Sequence, residues 1–93
     1  MPLEFDATRA IYDEDRETVV FMATDGALLV RCCVTREALL TMAQRRARSA
    51  REMLEAYRTH SDDIHRIAQR KYRERRIDFD GSVLVLRRDI AAE

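Results

Sequence analysis

The pattern of hydrophobic positions is clearest over residues 18–34, where two apolar runs flank a turn dipeptide. The first run reads TVVFMAT, the second reads ALLVRCCV, and Asp25 and Gly26 lie between them. Asp-Gly is favoured in the two-residue type I′ turn that joins the strands of a hairpin. The pattern therefore predicts a β-hairpin with its turn at Asp25 and Gly26.

The length of that turn decides which side chains share a face of the hairpin, and it predicts Ala23 opposite Leu28. One face is wholly apolar and is expected to pack on the core: it carries Val19, Phe21, Ala23, Leu28, Val30 and Cys32. The other face is mixed, but Val20, Met22 and Leu29 form an apolar patch on it, which a solvated sheet face does not ordinarily carry. Either the N-terminal segment or a second subunit is expected to cover this patch.

Beyond the hairpin, apolar residues recur at intervals of three and four, which is the spacing of an amphipathic helix. Thr35 occupies an N-cap position, and Glu37 follows in the first turn, where a carboxylate meets the positive end of the helix dipole. A helix is therefore expected to begin near Arg36.

A second helix start is indicated further along the chain. Ser49 followed three residues later by Glu52 matches the capping box, so a second helix is expected over about 50–76. One unbroken helix over 36–76 is the alternative, but its length of ~60 Å would be about twice the diameter of a domain of this size. A further break at 61–63 also remains open.

Two more strands are predicted outside the hairpin and the helices. Residues 82–87 follow a turn at Gly81 and read SVLVLR, which is typical of a strand, and we expect it to join the hairpin as another antiparallel strand. Residues 3–5 are expected to add a short edge strand. The predicted fold class is α+β, an antiparallel sheet of three to four strands packed against two helices, within one domain over 1–93.

The predicted elements follow one another in an order that can be compared with known families. Before the first helix, the residues used in this comparison are Phe5, Asp6, Arg9, Tyr12, Asp13, Val19, Phe21, Asp25, Gly26, Val34 and Thr35. On the helices they are Glu37, Ala38, Leu39, Tyr57, Arg58, Ile64, Ala68 and Tyr72. In this order and spacing the chain resembles a group of small bacterial proteins, the domain of unknown function 1488 family, and it matches least over 41–50. The resemblance implies a compact α+β domain of bacterial origin without an assigned activity.

Composition and charge limit the partners of such a domain. The 93 residues are 46% hydrophobic and 37% charged, and 17 basic side chains balance 17 acidic ones. Zero net charge argues against a protein that chiefly binds nucleic acid or anionic membrane without specificity. The charge is unevenly spread, however, since residues 31–76 carry thirteen basic and six acidic side chains, a net charge of +7.

Arginine supplies all of the basic side chains except one lysine, and its planar fork suits contacts with phosphate. The candidate anion-binding residues are Arg45, Arg46, Arg48, Arg51, Arg70, Arg73 and Arg76. Cations at the end of a helix also stabilise its negative dipole end, which is a sufficient structural reason for the last three. Arginine-mediated binding of nucleic acid is therefore kept as the alternative function.

Catalytic and metal-binding patterns are weak. His60 and His65 are five residues apart rather than at the i, i+4 spacing of a zinc helix, so no metal site and no cofactor are expected. Cys32 and Cys33 are adjacent, so they point to opposite faces of a strand and are expected to be free thiols. The weakest alternative is a small enzyme that uses His65 on the polar helix face with Asp62, which predicts a deep pocket around the imidazole.

The function that these features favour is a non-enzymatic interaction or regulatory module. The residues predicted to carry it are Val20, Met22 and Leu29, through which we expect the chain to form a homodimer. The N-terminal residues lack the basic start and apolar run of a secretion signal, and no stretch approaches the ~20 apolar residues of a membrane span. A cytoplasmic protein with an unknown protein partner and no membrane association is therefore expected.

Overall fold

Three strands precede the first helix, and the fourth strand returns to the same sheet after three helices. The computed structural model describes residues 2–44, 46 and 49–91. The elements are β1 (Glu4–Asp13), β2 (Thr18–Asp25), β3 (Leu28–Thr35), α1 (Arg36–Ala43), α2 (Ala50–Thr59), α3 (Ser61–Arg73), β4 (Val83–Val85) and α4 (Arg87–Ala91). The predicted α+β class is confirmed, and α4 is an element that the sequence pattern did not predict.

The sheet has the strand order β1-β2-β3-β4. The first three strands form an antiparallel meander, whereas β4 pairs with β3 in the parallel direction, Cys32 opposite Val83 and Val34 opposite Val85. The prediction of an antiparallel closing strand over 82–87 is therefore wrong. A parallel pair needs a crossover connection, and the helices between β3 and β4 supply it by returning the chain to the end of the sheet where β3 begins.

The hairpin forms as predicted, but its register is shifted by two residues. Asp25 pairs with Leu28, so the two-residue loop is Gly26 and Ala27 rather than Asp25 and Gly26. Gly26 adopts a φ of +60°, a conformation that glycine reaches without the steric cost of a side chain. Because the shift is even, each side chain keeps its predicted face. Leu28 is the exception in burial, because it lies at the hairpin tip and is 61% exposed.

The N-terminal strand is longer than the expected segment at 3–5. It runs from Glu4 to Asp13 along β2, and its register shifts between Asp6 and Ile11. Such an irregularity lets one strand bend while it continues to pair with its neighbour. The N-terminal segment is therefore part of the sheet and does not lie across the patch formed by Val20, Met22 and Leu29.

The helix starts agree with the capping patterns. The Thr35 hydroxyl accepts a hydrogen bond from the Ala38 amide, and the Ser49 hydroxyl accepts one from the Glu52 amide. The chain then breaks at His60, so 50–76 forms two helices rather than one, and the second begins at Ser61, within the range 61–63 where the sequence allows a further break. Asp62 and Asp63 favour a new helix there, because carboxylates in a first turn stabilise its positive dipole end.

Helices α1, α2 and α3 cover one face of the sheet and enclose the core between the two layers. The buried cluster combines Leu3 and the strand residues Ala10, Val19, Phe21, Ala23, Val30, Cys32, Val34, Val83 and Val85 with the helix residues Ala38, Leu39, Met53, Tyr57, Ile64, Ile67 and Ala68. The predicted core face of the hairpin is thus correct except at Leu28. The opposite face of the sheet carries no helix among the described residues.

Candidate interaction surface

The sheet face that points away from the helices carries apolar side chains from all four strands. The pairing places six such residues on it: Ile11, Val20, Met22, Leu29, Cys33 and Leu84. We call this surface the open face. Ile11 is 61% exposed and Leu29 is 64% exposed, while Met22 and Leu84 are half-buried. The open face therefore presents hydrophobic area that the described part of the chain leaves in contact with solvent.

The structure modifies the contribution of each residue of the predicted patch. Val20 is 8% exposed, so it is largely buried by its neighbours and offers little surface. Met22 and Leu29 line a concavity of about 350 Å³ beside the irregular part of β1, together with the charged side chains of Glu4, Asp6 and Arg9. Ile11, which the sequence pattern did not select, adds an exposed side chain because the register shift in β1 places it beside Val20.

The arginines of the predicted anion-binding set have different surroundings. Arg45 and Arg48 lie outside the described residues, and Arg46 is exposed. Arg51 forms an ion pair of 3.3 Å with Glu55 in the first part of α2. Arg70 and Arg73 are in the last turn of α3, beyond which Arg76 binds carboxylates of its own chain.

A buried charged network that the sequence analysis missed engages Arg76. Asp89 is 3% exposed and accepts hydrogen bonds from Lys71 Nζ at 2.8 Å, from the Leu86 amide at 2.8 Å and from Arg76 Nη2 at 3.2 Å. Lys71 Nζ also donates to the Leu84 carbonyl, 2.7 Å away. Burial alone would raise the pKa of Asp89, but these donors hold it below its usual value. The network fastens α3 to β4 and α4, and its one sequence signal is a single lysine in an arginine-rich chain.

His65 lies at the edge of the core instead of on a polar face with Asp62. Its ring stacks on that of Phe5, with centroids 4.2 Å apart and planes 3° from parallel, and its Nε2 shares a hydrogen bond of 2.7 Å with the Tyr57 hydroxyl. Burial lowers the pKa of His65, and Asp62 opposes that shift. Asp62 and His65 share helix α3, but the predicted polar setting is wrong because Phe5 of β1 and Tyr57 of α2 pack on the imidazole.

The two thiols lie on opposite faces of β3, as predicted. Cys32 is buried in the core, where desolvation raises its pKa to about 12, and Cys33 is half-buried on the open face. Burial also raises the pKa of Cys33. Both are free, and thiols with raised pKa values are poor nucleophiles.

Two further features concern metals and membranes. Within 2–44, 46 and 49–91, no group of three or more His, Cys, Asp or Glu side chains is arranged to hold a metal ion. No helix in this described part of the chain has the length and apolar character needed to cross a bilayer.

Comparison with known proteins places the chain among relatives of the same fold. A crystal structure of a protein of unknown function from the DUF1488 family of Shewanella loihica PV-4 superposes with a TM-score of 0.85 at 17% sequence identity, covering 90% of this chain and 91% of that one. No curated protein matches significantly. The sequence pattern of the family described as protein of unknown function (DUF1488) matches residues 3–85. The chain therefore belongs to the DUF1488 family.

Proposed function

We propose that this protein is a non-enzymatic interaction module that self-associates as a homodimer through the open face of its sheet. The observation that carries the proposal is the one-sided layer arrangement, in which α1, α2 and α3 cover one face of the sheet and Ile11 and Leu29 remain exposed on the other. Antiparallel sheets tolerate one solvated face when that face is polar. An apolar face on a soluble domain is instead typical of an interaction site.

The test replaces apolar side chains of the open face by lysine. We expect wild-type protein to have the mass of a dimer in light scattering after size exclusion, and the double variant Ile11→Lys, Met22→Lys to have the mass of a monomer. The matched control is Thr41→Lys, Thr59→Lys, which adds the same charge at exposed positions of α1 and α2. A control that dissociates equally would attribute the effect to charge, and a wild-type monomer at every concentration would refute the proposal.

The same measurement at two salt concentrations separates self-association from the nucleic-acid alternative. Apolar contacts persist as salt rises. A complex held by arginine and phosphate weakens steeply, because the entropy gained by releasing counterions from the nucleic acid is smaller at high salt. Arg51 and Arg76 are paired with carboxylates of their own chain, which makes the alternative the less favoured one. Nucleic acid that co-purifies and dissociates at high salt would reverse this order.

A further inference from the structure

A second apolar surface lies at the tip of the β2–β3 hairpin. Among the described residues, five large hydrophobic side chains are exposed, and four of them are in this hairpin tip or in the connection between α3 and β4: Leu28, Leu29, Ile77 and Phe79. A groove of about 550 Å³ runs between these two segments, with Leu28, Leu29, Tyr72 and Ile77 among its lining residues. We call it the tip groove.

The tip groove exists because β4 is short. It pairs with β3 only from Cys32 to Val34, so the described structure places no strand beside residues 28–31 on that side. Tyr72 donates a hydrogen bond of 2.7 Å to Asp25, which fastens the end of α3 to the hairpin tip. The groove is therefore bounded by fixed elements on both sides.

Phe79 stands beside the groove on a rigid turn and is fully exposed. The Gly81 amide donates to the Asp78 carbonyl, and the Asp78 amide donates to the Ser82 carbonyl, each at 2.9 Å. The Ser82 amide and hydroxyl both donate to the Asp80 carboxylate, at 3.0 and 2.7 Å. The backbone that carries the ring is therefore already ordered, so binding Phe79 costs side-chain entropy but little backbone entropy.

We infer that the tip groove receives Phe79 of a second copy of this chain. This inference rests on the proposed self-association and identifies Phe79 as the side chain that anchors the dimer. An exposed ring and an apolar groove next to each other on one chain are self-complementary, so a two-fold axis between two copies would seat each Phe79 in the groove of the other. The rim carries both Arg31 and Asp80, so the groove itself offers no single sign of charge to a partner.

Continuity of the tip groove with the open face supports a second copy as the occupant. A standard interface removes roughly 800 Å² from each partner, and one buried aromatic side chain supplies roughly 150–250 Å² of it. Leu29 lines both the tip groove and the concavity of the open face, so the two surfaces are continuous. Phe79 and the tip groove therefore add to the area that the proposed open-face dimer would bury, toward the roughly 800 Å² per partner of a standard interface.

The first experiment removes the ring. Sedimentation velocity of the full chain over a range of concentrations should show that Phe79→Ser raises the dimer dissociation constant by about 100-fold or more, since two anchors are lost and each is worth roughly tenfold or more. Phe79→Leu, which keeps an apolar side chain, should retain most of the affinity. The thermal midpoint of the dilute monomer should not change, because Phe79 makes no contribution to the core.

The second experiment tests the reciprocal geometry. Leu28→Lys blocks the groove, so this variant and Phe79→Ser should each be monomeric alone. Mixed together, they should form a heterodimer in which Phe79 of one chain enters the unblocked groove of the other, and the average mass should rise. Two variants that stay monomeric after mixing would overturn the arrangement.

The outcomes separate this inference from the proposed function. Wild-type protein that dimerises while Phe79→Ser dimerises equally well would overturn the anchor and leave open-face association intact. Loss of the dimer in Phe79→Ser but not in Ile11→Lys, Met22→Lys would support the anchor and move the interface to the hairpin tip. A wild-type monomer that binds only some other protein would overturn both.

Discussion

Asp89 combines nearly complete burial with three hydrogen-bond donors from different parts of the chain. Lys71 lies in α3, Arg76 lies in the segment that follows α3, and Leu86 lies between β4 and α4. A buried carboxylate of this kind is tolerated because the donors replace its hydration. The network explains why α4 remains attached although it has only five residues.

The first prediction concerns this carboxylate. Asp89→Asn should lower the free energy of unfolding by about 3 kcal/mol or more, because the Lys71 ammonium is left buried without its counter-charge. Urea denaturation followed by circular dichroism measures the change. The double variant Lys71→Met, Asp89→Leu should be less destabilised than Asp89→Asn, and an equal loss in both would contradict the assignment to an uncompensated charge.

The buried imidazole of His65 makes the free energy of unfolding depend on pH. Burial lowers its pKa, so the folded chain binds the proton more weakly than the unfolded chain does. Unfolding then takes up a proton, and the free energy of unfolding decreases as the pH falls below the ordinary value of 6.5. The lowered pKa of Asp89 acts in the same direction but in the more acidic range, because its ordinary value is 3.8.

The variant His65→Gln keeps a hydrogen-bonding side chain at this position but removes the imidazole that titrates. In His65→Gln, the free energy of unfolding should change less between pH 7 and pH 5 than in wild type. His60→Gln is the matched comparison, since it makes the same replacement at the other imidazole of the chain. Identical profiles for wild type and His65→Gln would show that the ring stacked on Phe5 is not the group that titrates.

At the scale of elements, the caps define where helices begin. Thr35→Ala removes the hydroxyl that accepts from the Ala38 amide, and it should lower the free energy of unfolding by about 0.5–2 kcal/mol. Thr41→Ala is the control within the same helix, because the Thr41 hydroxyl donates to the Glu37 carbonyl, which is already bonded in a helix interior. Equal losses in the two variants would contradict a specific capping role.

Local signals in the sequence predicted most of these elements. The Thr35 and Ser49 caps fixed two helix starts, and alternation fixed the faces of β2 and β3 even though the register moved by two residues, because parity survives an even shift. The parallel direction of β4 could not be predicted from local sequence, because it depends on how α1, α2 and α3 return the chain to the sheet. The sequence around Lys71 and Asp89 does not show that they pair, because the two residues are far apart along the chain. The exposure of Phe79 likewise depends on tertiary structure and could not be predicted from its neighbours.

The candidate surface was predictable in part for the same reason. Alternation placed Val20, Met22 and Leu29 on one face, but burial depends on neighbours from other strands, and β1 and β3 leave Val20 with 8% exposure. Ile11 joined the surface through the irregular register of β1, which has no signature in the sequence. The sequence therefore predicted that these three side chains share one face of the sheet, but not which side chains of that face are most exposed.

At the scale of the whole molecule, the layers are unequal on the two sides of the sheet. The helices provide one core, and the opposite face and the hairpin tip retain exposed apolar side chains that no described element covers. Because buried apolar area is the main favourable term in association, these surfaces would drive the pairing of two copies that we propose. One chain thus forms a complete core, and we propose that its exposed apolar surfaces are covered in a dimer.

The most direct test of that account is the mass of the full chain in solution, measured by sedimentation velocity at low and high salt. We predict a dimer whose dissociation constant does not rise with salt and which the double variant Ile11→Lys, Met22→Lys converts to a monomer. A wild-type protein that remains monomeric at every concentration and salt condition would contradict the central claim.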